Sequence, residues 1–154
     1  MRKLLIVEDD VSIREAFSII LRLNAEYEVT TAENGRVALD LCNQNTYDLI
    51  LLDIMMPVMD GPTFLKEYSS IYPVDVTKII IMSNLSSGSE LSLVQDLGVD
   101  KTVLKSSITP ERLMSIVAEA LEQQGSTTRE FKGNRSNSDD VGAIDNDERS
   151  VSAY

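Results

Sequence analysis

The stretch Leu49-Ile50-Leu51-Leu52-Asp53, four apolar residues ending in a carboxylate, decides how the fold is interpreted. An apolar run without alternation is typical of a strand buried on both faces, as in a parallel sheet covered by helices. Residues 4–7, 79–82 and 102–104 form further runs of this kind. Residues 27–31 alternate more, which favours a strand at the edge of the sheet.

Stretches with helical periodicity separate these runs. Two of them have apolar residues at i, i+3, i+4, i+7 and i+8. In the first stretch these are Ile13, Ala16, Phe17, Ile20 and Leu21, and in the last they are Leu113, Ile116, Val117, Ala120 and Leu121. Asn34 and Thr109 are N-cap signals, and Gly98 is a C-cap signal for a fourth helix. The pattern predicts an α/β fold, a doubly wound five-stranded parallel sheet with five helices on both faces.

Composition excludes several classes of function. The 154 residues contain no histidine and one cysteine, Cys42, so histidine catalysis, phosphohistidine donation, disulfides and thiolate metal cages are excluded. A net charge of −11 argues against direct nucleic-acid binding. No apolar run approaches the roughly 18–20 residues that span a bilayer, and no signal peptide is recognisable. We expect a cytoplasmic protein without membrane insertion.

The composition changes near residue 125. Residues 125–154 hold seven scattered apolar residues among Ser, Thr, Asn, Gly and charged residues. Such a segment has too little apolar surface for a core. We therefore predict a folded domain over residues 1–124 and a disordered C-terminal tail over residues 125–154.

Polar side chains follow four of the predicted strands. They are Glu8-Asp9-Asp10, Asp53, Ser83-Asn84 and Lys105-Ser106. Taken alone, each group has an ordinary explanation. The acids 8–10 would start a helix, Asp53 would begin a turn, Ser83 would cap a helix, and Lys105 would be a surface charge. The carboxyl ends of parallel strands meet at one edge of the sheet, where ligands bind near the topological switch point. We therefore expect the four groups to form one site.

The chemistry of this combination is that of phosphoryl transfer. Crowded carboxylates of Glu8, Asp9 and Asp53 offer the hard oxygens that suit Mg²⁺. Asp53 can then act as a nucleophile and form an aspartyl phosphate. Lys105 and Ser83 supply the cation and the hydroxyl that a transferred phosphoryl group needs.

Over residues 1–124 the chain resembles the receiver domains of two-component response regulators. The motifs that carry the resemblance are Ile6-Val7-Glu8-Asp9-Asp10 with Arg14, Leu51-Leu52-Asp53-Ile54-Met55-Met56-Pro57 with Asp60-Gly61, Ile81-Met82-Ser83-Asn84, and Leu104-Lys105. The resemblance implies a flavodoxin-like sheet of order 2-1-3-4-5. It also implies that Asp53 is the phosphoacceptor and that Glu8, Asp9, Asp53 and the backbone carbonyl of Met55 hold Mg²⁺. Ser83 and Lys105 would bind the phosphoryl group.

Three positions depart from the family pattern. Asn84 replaces a small residue beside the phosphoryl-binding hydroxyl, where it narrows access or adds a hydrogen bond. Ser106 replaces a proline that follows the lysine in a cis peptide, so the loop is expected to differ. Thr102 stands where an aromatic switch residue is usual. We expect a switch that uses Ser83 with smaller motion at Thr102.

The leading hypothesis is a single-domain response regulator rather than an enzyme. It would take its phosphoryl group from a sensor histidine kinase or a phosphotransfer protein. It would signal to a protein target through the face of the fourth helix, fifth strand and fifth helix, around Leu91, Leu93, Lys101 and Arg112. Phosphorylation-dependent dimerisation is left open. The alternatives are a phosphorylation-independent receiver-like binding module and, more distantly, a Mg²⁺-dependent phosphatase of the haloacid-dehalogenase type, which needs an acid where Met55 stands.

Overall fold

Five short strands form the centre of the computed structural model, which describes residues 1–73, 76–84, 92, 94, 97 and 99–123. The strands are β1 (Arg2–Val7), β2 (Tyr27–Ala32), β3 (Leu49–Asp53), β4 (Lys78–Ser83) and β5 (Lys101–Leu104). The helices are α1 (Val11–Arg22), α2 (Gly35–Gln44), α3 (Gly61–Ile71) and α4 (Pro110–Glu122), and a 3₁₀ turn covers Lys105–Ser107. The helix labelled α4 is the last of the five predicted from the sequence.

All strand pairs are parallel and their order is β2-β1-β3-β4-β5. The predicted doubly wound sheet and its strand order are therefore confirmed, with β2 at one edge. The order reverses between β1 and β3, which makes their carboxyl ends the topological switch point.

Strand residues alternate between two hydrophobic cores. Leu5, Val7, Ile50 and Leu52 face the core that α2 and α3 cover. The intervening residues of the same strands face a second core, which α1 and α4 cover. Because both faces are covered, the strands are continuous apolar runs rather than alternating ones.

Side-chain oxygens cap the amino ends of helices α1 to α4, the four whose bounds the described residues give. Asp10, Asn34, Asp60 and Thr109 each accept a hydrogen bond from the backbone N–H three residues on. The caps expected at Asn34 and Thr109 are confirmed. Each cap satisfies one of the N–H groups that a helix start leaves without an intrahelical partner.

Burial along α1 corrects one detail of the sequence interpretation. Ala16 was assigned to the apolar face, but it is exposed, whereas Ser18 is 6% exposed and packs inward beside Phe17 and Leu21. Periodicity in hydrophobicity misses this position because a small polar residue can be buried beside its apolar neighbours on the helix. In α4, all five predicted apolar residues are buried.

Two predicted segments fall largely or wholly outside the described residues. The predicted fourth helix, with Leu91, Leu93 and the proposed cap Gly98, lies in the incompletely described stretch between β4 and β5. The predicted tail over residues 125–154 lies beyond the last described residue, Gln123. Across the part of the chain that is described, no helix has the length and apolar character needed to cross a bilayer.

Candidate functional site

A cleft of about 270 Å³ lies at the carboxyl edge of the sheet, at the switch point between β1 and β3. Its lining residues are Glu8, Asp9, Asp10, Ile13, Asp53, Met55, Asn84 and Lys105. Every one of the sequence-predicted strand ends thus contributes at least one residue to a single cleft.

The strand register brings these residues to the same edge. Val7 pairs with Leu52, so Glu8 and Asp53 follow at the same level of the sheet. Ser83 pairs with Leu104, so Lys105 emerges just beyond the end of β4. The positions of the charged groups therefore follow directly from where the apolar runs end.

Lys105 bridges two buried carboxylates. Its Nζ atom lies 2.5 Å from Oε2 of Glu8 and 3.0 Å from Oδ2 of Asp53. The side chains of Lys105 and Asp53 are each 6% exposed, and that of Glu8 is 0% exposed. Low exposure strengthens these ion pairs but also imposes a large desolvation cost on each partner.

That desolvation cost determines the protonation behaviour of the three groups. Burial raises the pKa of Glu8 and that of Asp53, and Lys105 offsets only part of each increase. For Lys105, burial favours a lower pKa, but its bonds to Glu8 and Asp53 outweigh it and raise the pKa. The cleft therefore carries carboxylates that a further cation would help to ionise.

Three carboxylates fit a divalent ion. Glu8, Asp9 and Asp53 each offer one oxygen, and these atoms lie within 4.8 Å of one another. Oxygen ligands that include one or two carboxylates are those that Mg²⁺ prefers. Met55 lines the same cleft, and its N–H lies 3.4 Å from Oδ1 of Asp53, so the backbone after β3 runs beside the acidic cluster.

Asp10 has a structural place in the acidic triplet. Its carboxylate caps α1 by accepting from the N–H of Ile13, and its own N–H donates to Oε1 of Glu8 over 3.1 Å. Asp10 orients Glu8 and starts the helix.

The remaining predicted residues divide between the cleft and its surroundings. Ser83 is 2% exposed within β4, whereas Asn84 beside it is exposed and lines the cleft. Thr102 is exposed on the edge strand β5, paired with Ile81, and is not among the lining residues. Lys105 and Ser106 lie in the 3₁₀ turn, and the described residues contain no cis peptide bond.

Gly61 supports the site in a way that the sequence interpretation missed. A Cβ atom at this position would lie 2.5 Å from the carbonyl oxygen of Asp53 and 2.9 Å from Cα of Ile54. The N–H of Gly61 also donates to the carbonyl of Ile54. The start of α3 therefore packs directly on the backbone of Asp53, which only glycine permits.

The fold and the site define a class of protein, the doubly wound α/β domains with an acidic cleft at the topological switch point. The chain belongs to the response regulator receiver domain family, whose model matches residues 4–118. The family that the sequence motifs indicated is thereby confirmed.

Individual relatives agree with this assignment. The chain is 36% identical over 107 residues to the "Transcriptional regulatory protein CpxR homolog" of Haemophilus influenzae, covering 68% of this chain and 44% of that protein. Chemotaxis protein CheY4 of Vibrio cholerae superposes with a TM-score of 0.71 at 32% identity, covering 79% of this chain and 99% of the solved one. A CheY-like receiver domain protein of Methanospirillum hungatei gives a TM-score of 0.74 at 26% identity, covering 81% and 97%.

The chain spans about half the length of the curated relatives it matches. Solved receiver domains are covered almost completely. The shared part is therefore the receiver domain.

Proposed function

We propose that this chain is a response regulator that accepts a phosphoryl group on Asp53 in a Mg²⁺-dependent reaction. The observation that carries the proposal is the placement of the Lys105 ammonium 3.0 Å from Oδ2 of Asp53, at a cleft that Asp9 also lines. A buried carboxylate between a fixed cation and a set of metal-ligand oxygens has the surroundings that a phosphoryl-accepting nucleophile needs.

The donor in this proposal is the phosphohistidine of a sensor histidine kinase or a phosphotransfer protein. A carboxylate oxygen of Asp53 attacks phosphorus, a P–O bond forms, and the P–N bond to the imidazole breaks. The electron pair of the broken bond stays on the imidazole nitrogen. Because this chain contains no histidine, it can accept a phosphoryl group from a phosphohistidine but cannot form a phosphohistidine itself.

Each cleft residue has a role in this reaction. Glu8, Asp9, Asp53 and the backbone carbonyl of Met55 would hold Mg²⁺, which supplies positive charge against the carboxylates and the phosphoryl oxygens. Lys105, whose Nζ already contacts Asp53, would pair with the phosphoryl group. Ser83 and Asn84, at the end of β4, would supply hydrogen-bond donors to the phosphoryl oxygens.

We further propose that the output is a change of binding surface rather than catalysis on a separate substrate. The signal would pass to a protein partner in the cytoplasm through the region between β4 and β5 together with β5 and α4. Lys101 of β5 and Arg112 of α4 lie on this face, where Nζ of Lys101 is 3.3 Å and NH1 of Arg112 is 4.0 Å from the Glu119 carboxylate. The net charge of −11 argues against nucleic acid as the direct target.

Neither alternative is favoured by a specific observation. A binding module without phosphorylation has no need for a buried Lys105–Asp53 pair. A phosphatase of the haloacid-dehalogenase type needs an acid two residues after its nucleophile, and Met55 stands there with 59% of its surface exposed.

The experiment is incubation of the full chain with Mg²⁺ and acetyl phosphate, followed by measurement of the intact mass. We expect one added phosphoryl group in the wild-type chain, no addition without Mg²⁺, and no addition to Asp53→Asn. Asp40→Asn, which changes an exposed acid on α2, is the matched control and should accept phosphate normally. Addition to Asp53→Asn at the wild-type level would refute the proposal.

A further inference from the structure

Arg14, near the start of α1, turns back toward the loop that carries the acidic residues. The guanidinium Nη1 of Arg14 donates to the carbonyl of Glu8 over 2.7 Å and to the carbonyl of Asp9 over 3.2 Å. Its backbone N–H donates to the carbonyl of Asp10 over 2.9 Å. One residue thus binds three consecutive carbonyls of the segment that presents the metal-ligand carboxylates.

We infer that Arg14 is a positioning residue for the divalent cation, acting through the backbone of residues 8–10. The inference rests on the proposed Mg²⁺-dependent function and deepens it. Arg14 is assigned no contact with the ion. Its role is to fix the Glu8 and Asp9 backbone so that both carboxylates face the cleft before the ion arrives.

The rest of the loop's bonding explains why Arg14 matters. The N–H of Glu8 continues the sheet by donating to the carbonyl of Ala32, and the N–H of Asp10 donates to Oε1 of Glu8. These bonds hold the loop through its N–H groups. Arg14 holds it through its carbonyls, and a guanidinium does so with a rigid donor group that a lysine ammonium lacks.

Two effects of Arg14 on the cation oppose each other. Pre-positioned ligands lower the ordering cost of binding, and loss of outer-shell support typically weakens metal affinity by about 10–100-fold. The positive charge of Arg14 instead repels a cation at short range. The substitutions Arg14→Lys and Arg14→Met separate the two effects, because lysine keeps the charge and loses the guanidinium geometry, while methionine loses both.

Arg22 provides a matched control on the same helix. The Nη2 atom of Arg22 donates to the backbone carbonyl of Val29 in β2 over 2.9 Å. Arg22 and Arg14 line the same groove beside α1. Arg22→Lys and Arg22→Met therefore remove an equivalent guanidinium–carbonyl bond from a place that does not touch the acidic loop.

The experiment is calorimetric titration of the full chain with Mg²⁺ alone, without any phosphodonor. Asp9→Asn gives the background binding of an acidic protein that lacks one ligand. We expect Arg14→Lys and Arg14→Met each to weaken Mg²⁺ binding by about tenfold. The two Arg22 variants should stay within about twofold of wild type, since outer-shell losses act through the ligands they support.

Thermal unfolding in EDTA checks that the variants are folded. If Arg14→Met does not fold, the Mg²⁺ affinity of Arg14→Lys tests the inference. Wild-type affinity in Arg14→Lys, or tighter binding by Arg14→Met, would overturn the inference while leaving Mg²⁺ binding by the wild-type chain intact. A wild-type chain no better than Asp9→Asn would instead refute the metal site itself, and the inference with it.

Discussion

The Nζ atom of Lys105 lies 3.0 Å from Oδ2 of Asp53, which joins the end of β5 to the end of β3 across β4. The same ammonium contacts Glu8 at the end of β1. One cation therefore compensates two buried carboxylates that belong to different strands. A bound metal ion or a phosphoryl group would change the partners of Lys105, so the cleft and the β5 edge are coupled through one side chain.

Substitutions of Lys105 and of Asp9 should impair phosphorylation for different reasons. Lys105→Ala removes a cation beside two of the metal ligands, so we expect Mg²⁺ binding to persist while phosphoryl acceptance falls by at least about tenfold. Asp9→Asn removes a ligand oxygen, so higher Mg²⁺ should be needed for the same rate. Calorimetry and the rate of mass increase with acetyl phosphate measure the two quantities separately. Equal loss of Mg²⁺ affinity in both variants would contradict this division of roles.

The stability of the metal-free protein should depend on Asp53 and on pH. The pKa of Asp53 is raised above its ordinary value of 3.8, mainly by burial, so the folded state binds this proton more tightly than the unfolded state. The contribution of Asp53 is therefore fully present below about pH 4 and is lost as the pH rises through the raised pKa. Because Lys105 keeps Glu8 as a partner, we expect Asp53→Asn in EDTA at pH 7 to increase the free energy of unfolding by about 1 kcal/mol.

Chemical denaturation at pH 7 and pH 4 measures this effect. The gain should shrink at the lower pH, where a larger fraction of wild-type Asp53 is protonated in the folded state. Asp40→Asn, on the exposed side of α2, should change stability by less than about 0.5 kcal/mol at either pH. A destabilised Asp53→Asn at pH 7 would mean that the Lys105 ion pair outweighs the burial cost.

Gly61 and Gly35 allow a paired test of the support behind Asp53. A Cβ at Gly61 meets the Asp53 backbone at 2.5 Å, whereas a Cβ at Gly35 meets Met59 at 2.8 Å. Each substitution to alanine should cost about 1–3 kcal/mol of stability, as other overpacked sites do. Only Gly61→Ala should also slow phosphorylation, because only this change displaces the Asp53 backbone.

Denaturant unfolding and the acetyl phosphate reaction, followed on the same samples, separate the two effects. The comparison is made at a temperature where both variants are folded. If Gly35→Ala slowed phosphorylation as much as Gly61→Ala, the effect would be general loss of stability.

Several features of the fold could be predicted because they depend on local pattern. Four apolar runs and the alternating stretch 27–31 predicted the five strands, and Asn34 and Thr109 marked two helix starts correctly. Parallel topology then predicted that Glu8, Asp53 and Lys105 end at one edge of the sheet, where the structure places them.

Other features could not be predicted because they depend on how side chains and backbone are placed in three dimensions. The carboxylate of Asp100 accepts a hydrogen bond from the N–H of Ile79 over 2.7 Å and lies 3.0 Å from Nζ of Lys78. These two contacts join the start of β5 to the start of β4. The contact between Gly61 and Asp53 and the bonds of Arg14 to the acidic loop also require three-dimensional placement. Sequence spacing alone gave no signal for a guanidinium–carbonyl bond.

The output face should respond when the cleft is filled with the phosphoryl mimic beryllofluoride and Mg²⁺. Thr102 is too small to fill the space of an aromatic ring, so we expect the larger changes in residues 83–91 and at Lys101 and Arg112, with smaller ones at Thr102. A contact made only in the activated state biases such an equilibrium by its differential free energy. Amide chemical shifts measure the response, with Asp53→Asn as the control. Shifts confined to residues lining the cleft would contradict a switch.

Chemical trapping tests the central claim most directly. Borohydride reduces an aspartyl phosphate to homoserine, so the wild-type chain is treated with acetyl phosphate and Mg²⁺, reduced, digested and mapped by mass spectrometry. The account predicts conversion at position 53 alone, dependent on Mg²⁺ and abolished by Asp53→Asn. Conversion at Asp9 or Asp10 with Asp53 unchanged, or no conversion at all, would contradict the assignment of Asp53 as the phosphoacceptor.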